Sequence, residues 1–155
     1  MAVEFEKPQK CPEDRMTTAK ELIEKGTELY NKGDVEGFCA LYGDDIVLTT
    51  PDGRFEGRES IQPYMQGLFD AFPSGGVTLG RSCEDGGLYF GEFALHAANT
   101  GPIAMPDGSE LPATNKSVAL SAVEIARAEH GRIVEHEMIW DNMGFLGQLG
   151  LVPPA

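Results

Sequence analysis

The segment from Val118 to Trp140 constrains this chain more than any other. Two β-type runs flank His130-Gly131, which reads as an antiparallel hairpin closed by a two-residue turn. Glycine supplies the positive φ such a turn needs, and His130 is its less favourable partner. With that turn Glu129 faces Arg132, and counting upward pairs Glu124 with Glu137, Ala122 with Ile139 and Leu120 with Asp141. Side chains alternate along a strand, so this register puts Glu124, Glu135, Glu137 and Asp141 on one face. Val123, Ile125, Val134, His136, Met138 and Trp140 share the other.

Like charges directly opposite one another destabilise a sheet. A Glu124–Glu137 pair therefore needs open water, or a pocket in which one carboxyl keeps its proton or a cation sits between. Two arrangements satisfy this. Either the carboxylate face is solvated and the Trp140 face is core, or the carboxylate face is concave and lines a pocket while Met138 and Trp140 pack beneath another element. The register depends on turn length, because a one-residue slip moves every side chain to the opposite face.

Upstream, Thr18-Ala-Lys-Glu21 is a capping box that opens a helix, with Ala19, Leu22, Ile23, Leu29 and Tyr30 at helical spacing behind it. Gly33 ends that helix and Asp34 caps a short second one bearing Val35, Phe38, Cys39 and Tyr42. Ile46–Thr50 and Arg54–Glu56 read as short strands about the Pro51-Asp-Gly53 turn. A third helix follows Gly57, with Pro63 placed in its first turn. Strands are expected at Val77–Glu84 and Leu88–Thr100, then a Gly/Pro-rich loop to Pro112, the hairpin, and a brief amphipathic tail from Gly144 to Leu151. Helices gathered on one side of a curved antiparallel sheet form an α+β fold, and such a sheet closes into a cone with a pocket inside.

At 155 residues the chain suits one domain, here residues 17–155, preceded by an N-terminal arm over residues 1–16. A formal charge of −13 opposes binding to nucleic acid or an anionic membrane, both of which need clustered Lys and Arg. No apolar run approaches the roughly 20 residues of a membrane span. The N-terminus lacks a secretory pattern, and Cys11, Cys39 and Cys83 form neither a zinc motif nor a disulfide framework, so a reduced cytoplasmic protein is expected. The three histidines lack ligand-like spacing, and no nucleotide or nucleophile-elbow motif is present. No metal and no cofactor are expected.

Several short stretches, in order, carry a family resemblance: Tyr30-Asn-Lys-Gly-Asp34, Tyr42-Gly-Asp-Asp45, Pro51-Asp-Gly53 with Glu56-Gly-Arg58, and Ala71-Phe-Pro73. Asn99-Thr-Gly-Pro102, Met105-Pro-Asp-Gly108 and Gly131-Arg-Ile-Val-Glu135 follow, and Trp140-Asp141 with Gln148-Leu-Gly-Leu151 is the most diagnostic. Together they resemble the SnoaL-like, polyketide-cyclase branch of the nuclear-transport-factor-2-like superfamily. The resemblance implies a cone-shaped α+β barrel, three N-terminal helices on a curved, mostly antiparallel sheet, and a homodimer joined through the sheet's outer face. It places the carboxylate face inside and the Met138/Trp140 face at the subunit contact.

The resemblance also makes Asp141, ahead of the Gln-Leu-Gly tail, the general acid/base of a ring closure on a small hydrophobic carbonyl compound. The alternative for Asp141 is a helix cap for the tail. Glu137 and Glu124 form a candidate proton-sharing pair, with Glu137 raising the pKa of Asp141. Asn99 stands where relatives carry histidine, and Asn99 or Tyr64 would hydrogen-bond the enolate oxygen. Tyr64 and Phe69 are the expected pocket walls. Trp140 is counted with the core aromatics and as a candidate substrate contact. His136 reads as a structural or interface histidine, His96 as structural, and His130 belongs to the turn. The expected function is a cofactor-independent cyclase or isomerase that removes a proton α to a carbonyl. Alternatives are a dimeric ligand-binding module without catalysis, and an epoxide hydrolase, for which Arg127 points to the wrong face.

Overall fold

The computed structural model describes residues 17–105 and 107–153; the expected arm over residues 1–16 lies outside them. Helix α1 spans Ala19–Asn31 and opens with the capping box, Glu21 N donating to Thr18 Oγ1 and Thr18 N to Glu21 Oε2, both at 3.1 Å. Gly33, at φ 73°, turns the chain after it. Helix α2, Val35–Cys39, begins where Gly37 N donates to Asp34 Oδ1 at 2.8 Å. Strands β1 (Tyr42–Thr50) and β2 (Gly53–Glu56) lead into α3 (Arg58–Ala71). Pro63 is the sixth residue of α3, beyond the first turn expected for it, so the helix forgoes its bond back to Glu59.

Strands β3 (Gly76–Asp85) and β4 (Leu88–Ala98) come next, then two-residue strands β5 (Ile103–Ala104) and β6 (Glu110–Leu111) inside the expected loop. Strands β7 (Ser117–Glu129) and β8 (Arg132–Trp140) form the hairpin, and α4 (Asn142–Leu149) the tail. The main sheet runs β2-β1-β8-β7-β4-β3, antiparallel except where β1 lies parallel to β8. Irregularities interrupt β1 after Tyr42, β3 after Leu79 and β8 beside its turn. Bulges bend and twist a strand, and here they curve the sheet around the helices.

The hairpin corrects the simple count. Its turn is as read, with His130 at φ 51° and Gly131 at φ 71°, and Glu129 pairs with Arg132. Ala128 pairs with Ile133, but Arg127 pairs with Glu135, which leaves Val134 as an extra residue. Beyond that bulge every partner shifts by one: Glu124 faces Met138 rather than Glu137, and Ala122 faces Trp140 rather than Ile139. Ile133 is buried beside the turn, and only an inserted residue lets His136 turn inward as well. Glu124, His136, Met138 and Trp140 therefore share the inner face, while Glu135, Glu137 and Ile139 are directed outward with Val123.

The core lies between that inner face and the helices. One cluster joins Leu22 and Ile23 of α1, Ile61 and Met65 of α3, and Ile46 and Leu48 of β1. A second, at the other end, joins Phe72, Leu95, Val118 and Leu149. Each such buried aliphatic or aromatic side chain contributes on the order of 1.5–3 kcal/mol. Residues of both clusters border a space between the inner face and the helices.

Candidate active site

That space is a partly open cavity of ≈ 130 Å³. Leu22, Gly26 and Tyr30 of α1 form one wall, Met65 and Leu68 of α3 a second, and Leu120, Met138 and Trp140 of the hairpin a third. Most of the lining is apolar. The exceptions include Asp52, Glu124 and His136, and no Lys or Arg lines the cavity among the described residues.

Glu124 and His136 form a buried pair, His136 Nε2 lying 2.9 Å from Glu124 Oε2, with the residues 4% and 5% exposed respectively. The Tyr42 hydroxyl lies 2.9 Å from His136 Nδ1. Burial, and secondarily the Glu124 charge, hold the Tyr42 phenol well above its ordinary pKa. Tyr42 thus keeps its proton and donates it to Nδ1. With the phenol as donor, Nδ1 accepts and the Nε2–H faces Glu124, so the bonds run in one direction from phenol to carboxylate. Glu124 Oε1 accepts no hydrogen bond among the described residues, which leaves a carboxylate oxygen free at the cavity wall. Gly91 pairs with Glu124 on the neighbouring strand, and the Tyr89 ring occupies the space a Cβ would take there.

At the mouth, Tyr64 donates to Asp52 Oδ2 at 2.9 Å, and its oxygen lies 3.3 Å from Thr50 Oγ1. Burial and the Asp52 carboxylate raise the Tyr64 pKa, so Tyr64 remains a neutral donor fixed on Asp52. Tyr30 lines the cavity, and its hydroxyl has no hydrogen-bond partner among the described residues. Its pKa too is raised by burial, so it is available there as a donor.

The expected site residues divide accordingly. Glu124 and Trp140 line the cavity. Asp141 does not: it is exposed and caps α4, accepting from Gly144 N at 2.9 Å. Glu137 is exposed on the outer face, the consequence of the bulge, and cannot share a proton with Glu124. Asn99 is fully buried with every polar atom engaged: its amide nitrogen donates to Ala71 O and Gly101 O at 3.0 Å each, and its oxygen accepts from Thr114 N at 2.7 Å. It ties the β4 end to the α3 terminus and has no donor left for an enolate. Tyr64 and Phe69 stand behind the wall, Tyr64 holding Asp52 and Phe69 packed 4.6 Å from Tyr30.

His136, read as a structural or interface histidine, is buried and paired with Glu124 at the cavity, and Asp52 was not singled out. A bulge has no alternation signal, which hid His136. Asp52 sits in a turn motif that fits a loop equally well. Arg127 is on the outer face, bound to Glu129 and Glu135, so an epoxide-opening Asp–Arg–Asp set is not assembled in the cavity. No three His, Cys, Asp or Glu side chains group as metal ligands among the described residues.

Comparison with known proteins gives the same fold and a family. IdmH of Streptomyces antibioticus, a proposed polyketide cyclase, superposes with a TM-score of 0.68 at 25% identity, over 84% of this chain and 97% of its own. AclR of Streptomyces galilaeus, a proposed hydroxylase, gives 0.71 at 22% identity, over 86% and 96%. An uncharacterized PhzA/B-like protein of Pseudomonas aeruginosa is 30% identical over 145 residues, 88% of this chain and 94% of that one. Residues 23–136 match the SnoaL-like domain family, a span that includes all of the named helical wall but Leu22, and the Tyr42–His136–Glu124 chain. With its helices on a curved, mostly antiparallel sheet around an apolar cavity, this chain belongs to the SnoaL-like domain family.

Proposed function

We propose that this protein is a small enzyme that removes a proton α to a carbonyl in a hydrophobic molecule, as a cyclase or isomerase of polyketide-like compounds. The observation that carries the reading is a buried carboxylate in an apolar cavity, one oxygen unpartnered among the described residues and the other held by a histidine whose second nitrogen is bonded to a phenol. Glu124 Oε1 takes the α proton. Tyr30, whose hydroxyl has no partner among the described residues, donates to the enolate oxygen. His136 and Tyr42 fix the carboxylate without entering the reaction. A base removed from water and aimed at one atom is the arrangement that proton abstraction requires. Ring closure, isomerisation or dehydration then follows from the same enolate.

The test compares wild type, Glu124→Gln and Asp141→Asn against aromatic polyketide esters and steroid enones, followed by ultraviolet absorbance. Glu124→Gln should lose about 10²–10⁴-fold in rate, and Asp141→Asn should stay within a few-fold of wild type. The reverse pattern returns the base to Asp141 and ends the proposal. Binding without turnover by any of the three makes the protein a ligand-holding module. Two copies are proposed to pair through the outer face, where Val123 and Ile139 are 44% and 47% exposed, a conspicuous apolar exposure for a strand face.

A further inference from the structure

The cavity's charges narrow what enters it. Two carboxylates, Asp52 and Glu124, line it, and no Lys or Arg among the described residues offsets them. Glu124 is 5% exposed, and its Oε1 has no partner among the described residues, so a carboxylate-bearing ligand would bring like charge into a poorly solvated space with no described cation to neutralise it. Asp52 differs from Glu124 in two ways. It is exposed at the mouth, and Tyr64 fixes its Oδ2 while Oδ1 has no hydrogen-bond partner among the described residues. An ammonium can therefore reach it while keeping part of its hydration. The cavity walls include Tyr30, Phe38 and Trp140, aromatic rings of the kind whose faces attract cations, and the chain's −13 charge draws cations toward the protein.

We propose that the ligand of this cavity is an apolar molecule carrying a protonated amine, its hydrocarbon body against the aromatic and aliphatic walls and its ammonium on Asp52 at the mouth. The end remote from the amine then lies toward Glu124, where a carbonyl would meet the base. This rests on the reading of the cavity as the substrate site, and names the charge class of what it takes. Free acids are excluded by the same charges that hold the amine.

Trp140 is the only tryptophan of the chain and lines the cavity, so its fluorescence reports occupancy directly. The full chain is titrated at neutral pH and about 0.15 M salt with 4-phenylbutylamine, 4-phenylbutanol and 4-phenylbutyrate, three probes of one shape and three charges. The amine should bind about fivefold tighter than the alcohol, the strength of one exposed ion pair, and the carboxylate more weakly than either. Asp52→Asn should bring the amine to the level of the alcohol and leave the alcohol unchanged. Butyrate binding as tightly as the amine overturns the proposal, as does an amine preference that survives Asp52→Asn, or the absence of quenching by all three. The base is tested by turnover in Glu124→Gln and the amine preference by binding in Asp52→Asn, so either reading can fail while the other stands.

Discussion

Replacing Glu124 by glutamine and by leucine separates what this carboxylate does for folding from what it does for chemistry. Glutamine has the same shape, and its amide oxygen can still accept from His136 Nε2, which lies 2.9 Å from the native carboxylate oxygen. A charge-assisted bond becomes a neutral one, a loss of about 1 kcal/mol. Against this, a buried charge no longer has to be desolvated, which returns a similar amount. Glu124→Gln should therefore fall within about 1 kcal/mol of wild type, a melting shift of no more than about 4 °C in a domain of this size. Leucine leaves the Nε2–H buried with no acceptor, since His136 is 4% exposed. That costs about 1–3 kcal/mol, or roughly 2–12 °C. Both variants should lose turnover equally. The assay is thermal unfolding followed by circular dichroism, alongside the ultraviolet rate measurement. A leucine variant as stable as wild type would show that the buried pair contributes nothing. A glutamine variant with full rate would show that Glu124 is not the base. Either result refutes the reasoning.

Asp141→Ala removes the cap of α4 and should cost about 1 kcal/mol, with turnover retained within a few-fold; a severe loss of rate at unchanged stability would place Asp141 in the chemistry after all. Gly91→Ala would drive a Cβ into the Tyr89 ring, 2.7 Å from Cε1. Since Tyr89 is 1% exposed and has nowhere to go, urea unfolding should register a loss of about 1–3 kcal/mol. Tyr30, Tyr42, Tyr64 and Tyr89 all have raised pKa values, chiefly through burial. A raised folded pKa gives stability that is complete below the unfolded value near 10 and is lost as pH climbs above it. The slope is about 1.4 kcal/mol per pH unit for each tyrosine still protonated in the fold. Tyr42→Phe should make this alkaline decline shallower; an unchanged slope would mean that the phenol ionises freely in the native state.

The local elements were legible because their signals are local. A capping box at Thr18 and Glu21, a terminating glycine at Gly33 and a β-turn at His130-Gly131 are satisfied by neighbours within a few residues, so the sequence carries their whole cause. The order of elements together with the motif series also carried the family. Pro63 shows the limit even here, since its place in the second turn of α3 is tolerated only because the helix is packed on the sheet.

The site was legible only in part. Glu124 belongs inside on any register that makes its face concave, and the sequence pointed to it. Its partner depended on Val134. Alternation counted from the turn sends His136 outward and Glu137 inward, and one extra residue exchanges them. That bulge is decided by which packing buries Ile133, Met138 and Trp140 against the helices, a choice made across the whole cone. Asn99 likewise became a structural tie because Ala71, Gly101 and Thr114, distant or adjacent in sequence, present their backbone groups at one point. The sequence by itself determined the helices, the strands and the turn, through interactions a few residues long. Only the tertiary structure decided which acid meets which histidine, because the register of a strand is set by everything packed against both of its faces.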